Sequence, residues 1–284
     1  MDELRELQLC ILDIALELKR ICDKHNINYF LIAGSLLGAV RHQAFIPWDD
    51  DMDIGMLRPD YERFLEIAPQ ELNQDFFLQT YKTDPSYALG FAKIRINNTL
   101  LLEDVAVSSK QHNGIYLDIF PYDNMSDSRW KHKLRYIWIK CLKWAAYGKT
   151  DYKISDKKRH CFAKIAKYLF FYLDKEQTVS AMEKNCKKFC ESKNVINYFG
   201  AHQDSEYARR EIFLQFENLP FEGYMFKVPS NYKELLTNTY GDYMELPPVE
   251  KRGKQHNFLK VDIGEYQIKN KKYIWEKGDQ TAEE

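Results

Sequence analysis

Four aspartates stand at positions 49, 50, 51 and 53, hemmed in by Phe45-Ile46-Pro47-Trp48 before them and by an apolar run from Ile54 after them. No other feature restricts the folding of this chain so tightly. Carboxylates this close repel one another, and the flanking apolar residues hold them in packed surroundings. Alternation with period two from Asp49 through Leu57 predicts a strand, with Asp49, Asp51 and Asp53 on one face and Asp50 and Met52 on the other. Positions two apart on a strand sit about 6.6 Å from each other, and at an effective dielectric of about 20 each such pair costs about 2 to 3 kcal/mol. A bound cation removes that cost, and oxygen-only donors favour Mg²⁺ or Mn²⁺ over zinc. A solvated acidic loop is the bland reading of the same run. A calcium loop of the EF-hand kind matches at Asp49, Asp51 and Asp53, but fails where the sharp turn wants glycine and finds Ile54, and again where Asp60 replaces the bidentate glutamate.

The rest of the pattern divides the chain. Leu4, Leu7, Ile11, Ile14, Leu18 and Ile21 recur at helical spacing, so residues 2–25 read as an amphipathic helix. A buried strand over 29–33 follows, Gly34-Ser35 turns the chain into a short helix through His42, and Pro59-Asp60 opens another helix. Strands are expected at 76–80, 90–96, 100–103 and 115–120, with Asn97-Asn98 as a hairpin turn. Beyond Ser128 the periodicity becomes helical over 130–147, 157–173, 175–192 and 231–240, and from Gly241 the chain reads as extended loop. The expected fold is therefore α/β, more strictly α+β: a mixed-sheet catalytic core over 1–125, a basic helical subdomain over 126–200, and a C-terminal segment, 201–284, folding back on the core.

With 45% hydrophobic residues the chain can bury a sizeable core, so disorder is not the default. No apolar run approaches the ~20 residues of a spanning helix. The six cysteines are scattered and no secretory leader opens the sequence, which points to a reducing, cytoplasmic setting. Cys186 with Cys190, and Cys22 with His25, lack a second pair at zinc-site spacing.

Some sixteen residues before the acidic run, Gly34-Ser35 lies between strand and helix, where backbone amides can hold phosphate oxygens. A third isolated carboxylate sits in Leu117-Asp118-Ile119. The three parts together are specific where each alone is weak. The segment Ala33-Gly34-Ser35-Leu36-Leu37-Gly38-Ala39-Val40-Arg41-His42, continued by Phe45-Ile46-Pro47-Trp48-Asp49-Asp50-Asp51-Met52-Asp53-Ile54, resembles the defining stretch of the LicD-type phosphotransferases, within the polymerase-beta-like nucleotidyltransferase fold. Gly114 to Pro121, and Tyr240 to Met244 with Pro247-Pro248, Arg252 and His256, are similar to further family motifs.

The resemblance implies transfer of phosphocholine from CDP-choline to a hydroxyl of a lipid-linked cell-surface glycan precursor, of teichoic acid or lipopolysaccharide. Related members move ribitol phosphate from CDP-ribitol. Nucleotidyl transfer from an NTP, and a non-catalytic module that docks on glycan or membrane, are competing readings. On the phosphotransferase reading Asp51, Asp53 and Asp118 are catalytic, and Asp49 joins them around the metal. Gly34 and Ser35 position the donor diphosphate, with Arg41 or His42 neutralising it. Lys93 and Arg95 share a strand face that either meets the same phosphates or is merely basic and exposed. Arg252 and His256 either close a tail over the nucleotide or belong to a plain surface loop. Trp48, Tyr87, Tyr116 and Tyr243 adjoin the motifs and are candidates for an aromatic cage around a quaternary ammonium.

Residues 129–175 carry fourteen Lys and Arg against three Asp, a formal surplus of eleven positive charges. Within them Phe162, Ile165, Ala166, Leu169, Phe170 and Leu173 form an apolar stripe. A solvated basic face over a packed helix is one reading, and peripheral contact with an anionic membrane, at its inner face, is the other. No nucleic-acid motif is present and no nucleic-acid partner is expected.

Overall fold

The computed structural model describes residues 3–154, 156–188, 192–200, 207–253 and 258–269. Helix α1 (Glu3–His25) buries Leu7, Ile11, Ile14, Leu18 and Ile21, and it ends where Asn26 takes a left-handed φ of 53°. Strand β1 (Phe30–Leu31) has two residues only, because α2 (Ala33–Arg41) begins almost at once. Strand β2 (Asp53–Leu57) leads into α3 (Arg58–Glu71), whose first turn holds Pro59. Then follow β3 (Phe76–Gln79), β4 (Ala92–Ile96), β5 (Leu100–Glu103) and β6 (Tyr116–Asn124).

Three helices come next: α4 (Arg129–Tyr147), α5 (Lys157–Leu169) and α6 (Lys175–Cys186), the last opened by a capping box between Asp174 and Gln177. Short strands β7 (Asn194–Ile196) and β8 (Tyr207–Arg209), a hairpin of β9 (Phe216–Phe221) and β10 (Tyr224–Pro229), α7 (Tyr232–Tyr240) and β11 (Phe258–Asp262) complete the order.

The main sheet runs β1-β2-β6-β4-β3, with β7 and β8 added beyond the end of β6, seven strands among the described residues. Only β2 and β6 pair in parallel; the other described pairs are antiparallel, so the sheet is mixed. Two cores lie against it. In β6, Leu117 and Ile119 join a core with α1, α3 and the β9–β10 hairpin, while Phe120 and Tyr122 join a second core with α4, α5 and α6. Asp118 has the parity of Phe120, which puts it on the face that the helical middle covers.

Several sequence expectations change, among them the helix expected over 175–192, which ends at Cys186. The strand expected over 49–57 begins only at Asp53, because the Asp49 amide donates to the Ile46 carbonyl (2.9 Å) and turns the chain. Asn98 does turn, with φ 58°, but β4 and β5 form no hairpin: β5 pairs instead with β11, in a tail expected to be loop. Helix α5 stops at Leu169 rather than Leu173, with Phe170 capping it in a non-helical conformation.

Candidate active site

The parallel ladder sets Asp53 opposite Asp118, Cα partner to Cα partner. Residues 65 positions apart in sequence thus project from neighbouring strands onto the same face. Two local bonds fix Asp53: its amide donates to Ser35 Oγ (2.8 Å), and its carbonyl accepts from the Ile32 amide (3.3 Å). Ser35 therefore anchors the strand start with its side chain. Ala33 opens α2 with a left-handed φ of 46°, a strained conformation of the sort that persists where the surroundings over-determine it.

The acidic turn is held from behind. Gln8 of α1, almost fully buried, donates through Nε2 to the Asp49 carbonyl (2.9 Å). Gly34 is needed for clearance, since a β-carbon there would stand 2.7 Å from Asp49 Oδ2. Asp49, Asp51, Asp53 and Asp118 line a cavity of about 400 Å³, floored by Ala33 and Gly34. Asp50 is fully buried and is not part of that wall. One oxygen each from Asp49, Asp50 and Asp51 lie within 4.8 Å of one another. Because Asp49–Met52 is not a strand, Asp50 stays close to its neighbours instead of pointing away. Such an all-carboxylate donor set fits a hard divalent cation, and Asp49 and Asp51 belong both to the cluster and to the cavity wall.

A second cavity, about 480 Å³, adjoins the first through Leu89, Phe91, Asp118 and Tyr147. Its wall includes Tyr87, Tyr116, Trp144 and Tyr152. Here Lys93 Nζ lies 2.7 Å from Asp118 Oδ1 and 3.3 Å from the centre of the Tyr116 ring. Burial pushes the Asp118 carboxyl above the usual carboxylate range, and Lys93 pulls against that rise. The Tyr116 hydroxyl goes far up, through burial first and then Glu103, to which it donates at 3.1 Å. Arg95 also lines this cavity but is fully buried, donating to Gly114 O (2.6 Å) and to Gln79. Neither Lys93 nor Arg95 belongs to an exposed basic face.

Four further expected residues gather elsewhere. Arg41 donates to the carbonyls of Tyr243 (3.2 Å) and Glu245 (3.3 Å), so the tail packs over the end of α2. The Arg252 guanidinium lies 5.5 Å from the Trp48 ring centre, and His42 meets Trp48 edge-on at 6.4 Å. Burial first, and then Arg252, draw the Arg41 guanidinium below its ordinary value. None of the four lines either cavity. His256 lies outside the described residues.

Lys143 and Tyr147 of α4, Asn197 and Phe199 after β7, and Tyr240 at the end of α7 also line the acidic cavity. Sequence reasoning passes over them. The one signal for any of them is the Tyr240-Gly241 motif; a lysine on a basic helix carries none.

Residues 26–143 match the family described as LicD/FKTN/FKRP, nucleotidyltransferase domain. Over 261 residues, 89% of this chain and 96% of its relative, the chain is 30% identical to the lipopolysaccharide cholinephosphotransferase LicD of Haemophilus influenzae. The chain belongs to the LicD family. As a LicD protein it is a transferase. An uncharacterized protein of Rickettsia typhi is 55% identical over 47 residues, 16% of this chain and 15% of its own, and one of Rickettsia prowazekii is 53% identical over 47 residues, 16% and 18%. The LicD match contains all four aspartates of the cavity wall together with Lys93 and Lys143, whereas Asn197 and Tyr240 lie beyond it.

Proposed function

We propose that this LicD protein transfers phosphocholine from CDP-choline to a hydroxyl of a cell-surface glycan precursor, a lipopolysaccharide or teichoic acid intermediate, and releases CMP. One observation carries the reading: a cavity with four aspartates in its wall, Asp53 and Asp118 level on parallel strands, adjoins a second cavity rich in aromatic rings. The first suits a diphosphate with its counter-cation, and the second suits a quaternary ammonium. The Haemophilus relative is named for choline phosphate and lipopolysaccharide, which supports the same pair of substrates. Free thiols at Cys10, Cys22 and Cys186, all buried, accord with the cytoplasmic setting in which a CDP-linked donor is made.

In the proposed reaction the acceptor hydroxyl oxygen attacks the choline-bearing phosphorus, and the phosphorus–oxygen bond to CMP breaks in line. Asp118, its Oδ1 held by Lys93, receives the hydroxyl proton at Oδ2. Asp49, Asp51 and Asp53 would hold Mg²⁺ or Mn²⁺, which neutralises charge on the donor diphosphate when bound. Lys143 and the amides at the start of α2 bring further positive potential to that cavity. Trp144 and Tyr147 offer ring surfaces to the choline methyls, while Lys93 already stands 3.3 Å from the centre of the Tyr116 ring and 5.6 Å from that of Phe91.

Release of CMP from CDP-choline tests this directly. With Mg²⁺ in excess, Asp51→Asn and Asp53→Asn are expected to lose at least about a hundredfold in kcat while melting near the parent. Full turnover in both variants removes the metal assignment. Faster turnover of CDP-ribitol reassigns the head group, and pyrophosphate release from CTP reassigns the reaction to nucleotidyl transfer.

A further inference from the structure

Helix α4 is buried along one side only. Ile139, Leu142, Ala145 and Ala146 enter the second core, whereas Trp130, Leu134, Ile137 and Trp138, spaced by four, three and one, stand 48% to 63% exposed. Helix α5 repeats the arrangement, burying Ala163 and Ala166 and exposing Phe162, Ile165, Tyr168 and Leu169, with Phe171 and Tyr172 exposed just beyond it. The two helices meet through ring contacts between Trp138 and Phe170 (5.3 Å) and between Trp144 and Phe162 (6.4 Å). Ten of the eighteen large apolar side chains exposed among the described residues lie between 130 and 172, and none lies on α1, α2, α3, α6 or α7. Side chains of this size do not concentrate on a water-facing surface without a use.

The charge selects the occupant. The same stretch, 129–175, holds the surplus of eleven positive charges, and Lys131, Lys133, Lys164 and Lys167 are interleaved with the exposed rings. A second copy of the chain would set two basic faces together. An anionic bilayer takes both parts at once, tryptophan and tyrosine at the headgroup level and lysine against lipid phosphates. No helix among the described residues is long and apolar enough to cross a membrane, so the contact is peripheral. The far end of α4 carries Lys143 and Tyr147 into the acidic cavity. At 1.5 Å per residue that end is about 14 Å from Trp138.

We infer that the exposed face of α4 and α5 docks on the surface of an anionic lipid bilayer and holds the cavity mouth close to it. The inference stands on the helices alone and not on the phosphocholine chemistry, so either can fail without the other.

The test is co-sedimentation of the full chain with phosphatidylcholine vesicles, with and without about a third phosphatidylglycerol. Binding is expected with the anionic vesicles only, falling at least about tenfold from low to high salt. Tryptophan emission should shift to the blue on binding. The double variants Trp130→Ser with Leu134→Ser, and Lys164→Glu with Lys167→Glu, should each weaken binding about tenfold while melting as the parent does. Absence of binding to anionic vesicles at low salt overturns the inference, as does parental binding by both variants. Tighter binding to duplex DNA than to vesicles, or a dimer in light scattering that Leu134→Ser dissolves, would reassign the face.

Discussion

At Gly34 the backbone passes so near Asp49 that one added methyl group tests the site without touching a carboxylate. The new β-carbon would stand 2.7 Å from Asp49 Oδ2, a distance that forces the carboxylate to turn. Alanine is also the better helix former by about 1 kcal/mol, which offsets the crowding in the stability of α2. Gly34→Ala is therefore expected to lower kcat at least about tenfold and to move the melting temperature by no more than about 4 °C. Unchanged turnover in steady-state kinetics would free the Asp49 carboxylate from any fixed geometry. Asp51, Asp53 and Asp118 are legible in the sequence because charge beside apolar runs is costly, and cost is visible without coordinates. Lys143 and Asn197 are not, since local spacing cannot tell a side chain facing a cavity from one facing water, and Tyr240 shows only as part of its motif. Ser35 is legible as a position, yet its contact is with the Asp53 amide, which no dipeptide signal could reveal.

Among the elements, α6 is tied to the sheet by a buried ionic group. Arg58 makes two bonds to Asp123, at 2.7 and 2.6 Å, and reaches Glu183 of α6 at 3.4 Å. Glu183 also accepts from the Tyr81 hydroxyl at 2.8 Å. Burial pushes the Glu183 carboxyl up, but Lys187, Tyr81 and Arg58 outweigh it and hold it below the usual glutamate range. A carboxylate with a folded-state value below its unfolded one stabilises the fold above about pH 4.3, and that contribution is lost as pH falls through the folded value. Glu183→Gln should accordingly flatten the fall in stability between about pH 5 and pH 3, measured by urea titration at each pH. A parental pH slope in that variant would deny Glu183 its depressed pKa. The helices that close this group are readable from their 3.6-residue stripes. Strands β7 and β8 are not, with three residues each, nor are β9 and β10, which are only partly apolar, and β11 is hidden because its partner β5 lies some 155 residues upstream.

Over the whole molecule, the C-terminal segment returns to the first helix. Asp13, almost fully buried in α1, accepts from the Tyr266 hydroxyl at 3.1 Å and from the Lys269 amide at 2.7 Å. Lys269 also pairs with Asp75 at 2.9 Å. Asp13→Ala removes an acceptor shared by the half-buried Tyr266 hydroxyl and the amide of the exposed Lys269, and is expected to cost about 1 kcal/mol. Trypsin should then cut at Lys260 or Lys269 sooner than in the parent, and equal cutting rates would show that β11 alone secures the segment. The mixed sheet is visible in the strand pattern, but its two-sided covering is not. A single apolar stripe on α4 cannot announce that it shares a core with Tyr122 and Phe213.

The pairing of Asp53 with Asp118 makes the acidic cavity a matter of sheet register. Between α3 and β6 the loops can lengthen or shorten over evolutionary time without moving either carboxylate. An insertion of one residue within β6 itself, ahead of position 118, would turn that aspartate into the apolar layer beneath α1 and send Leu117 into the acidic cleft. Sequence drift in this protein is thus expected to collect in its connections and to spare the length of two paired strands, whose hydrogen-bond count is also the ruler of its acidic cavity.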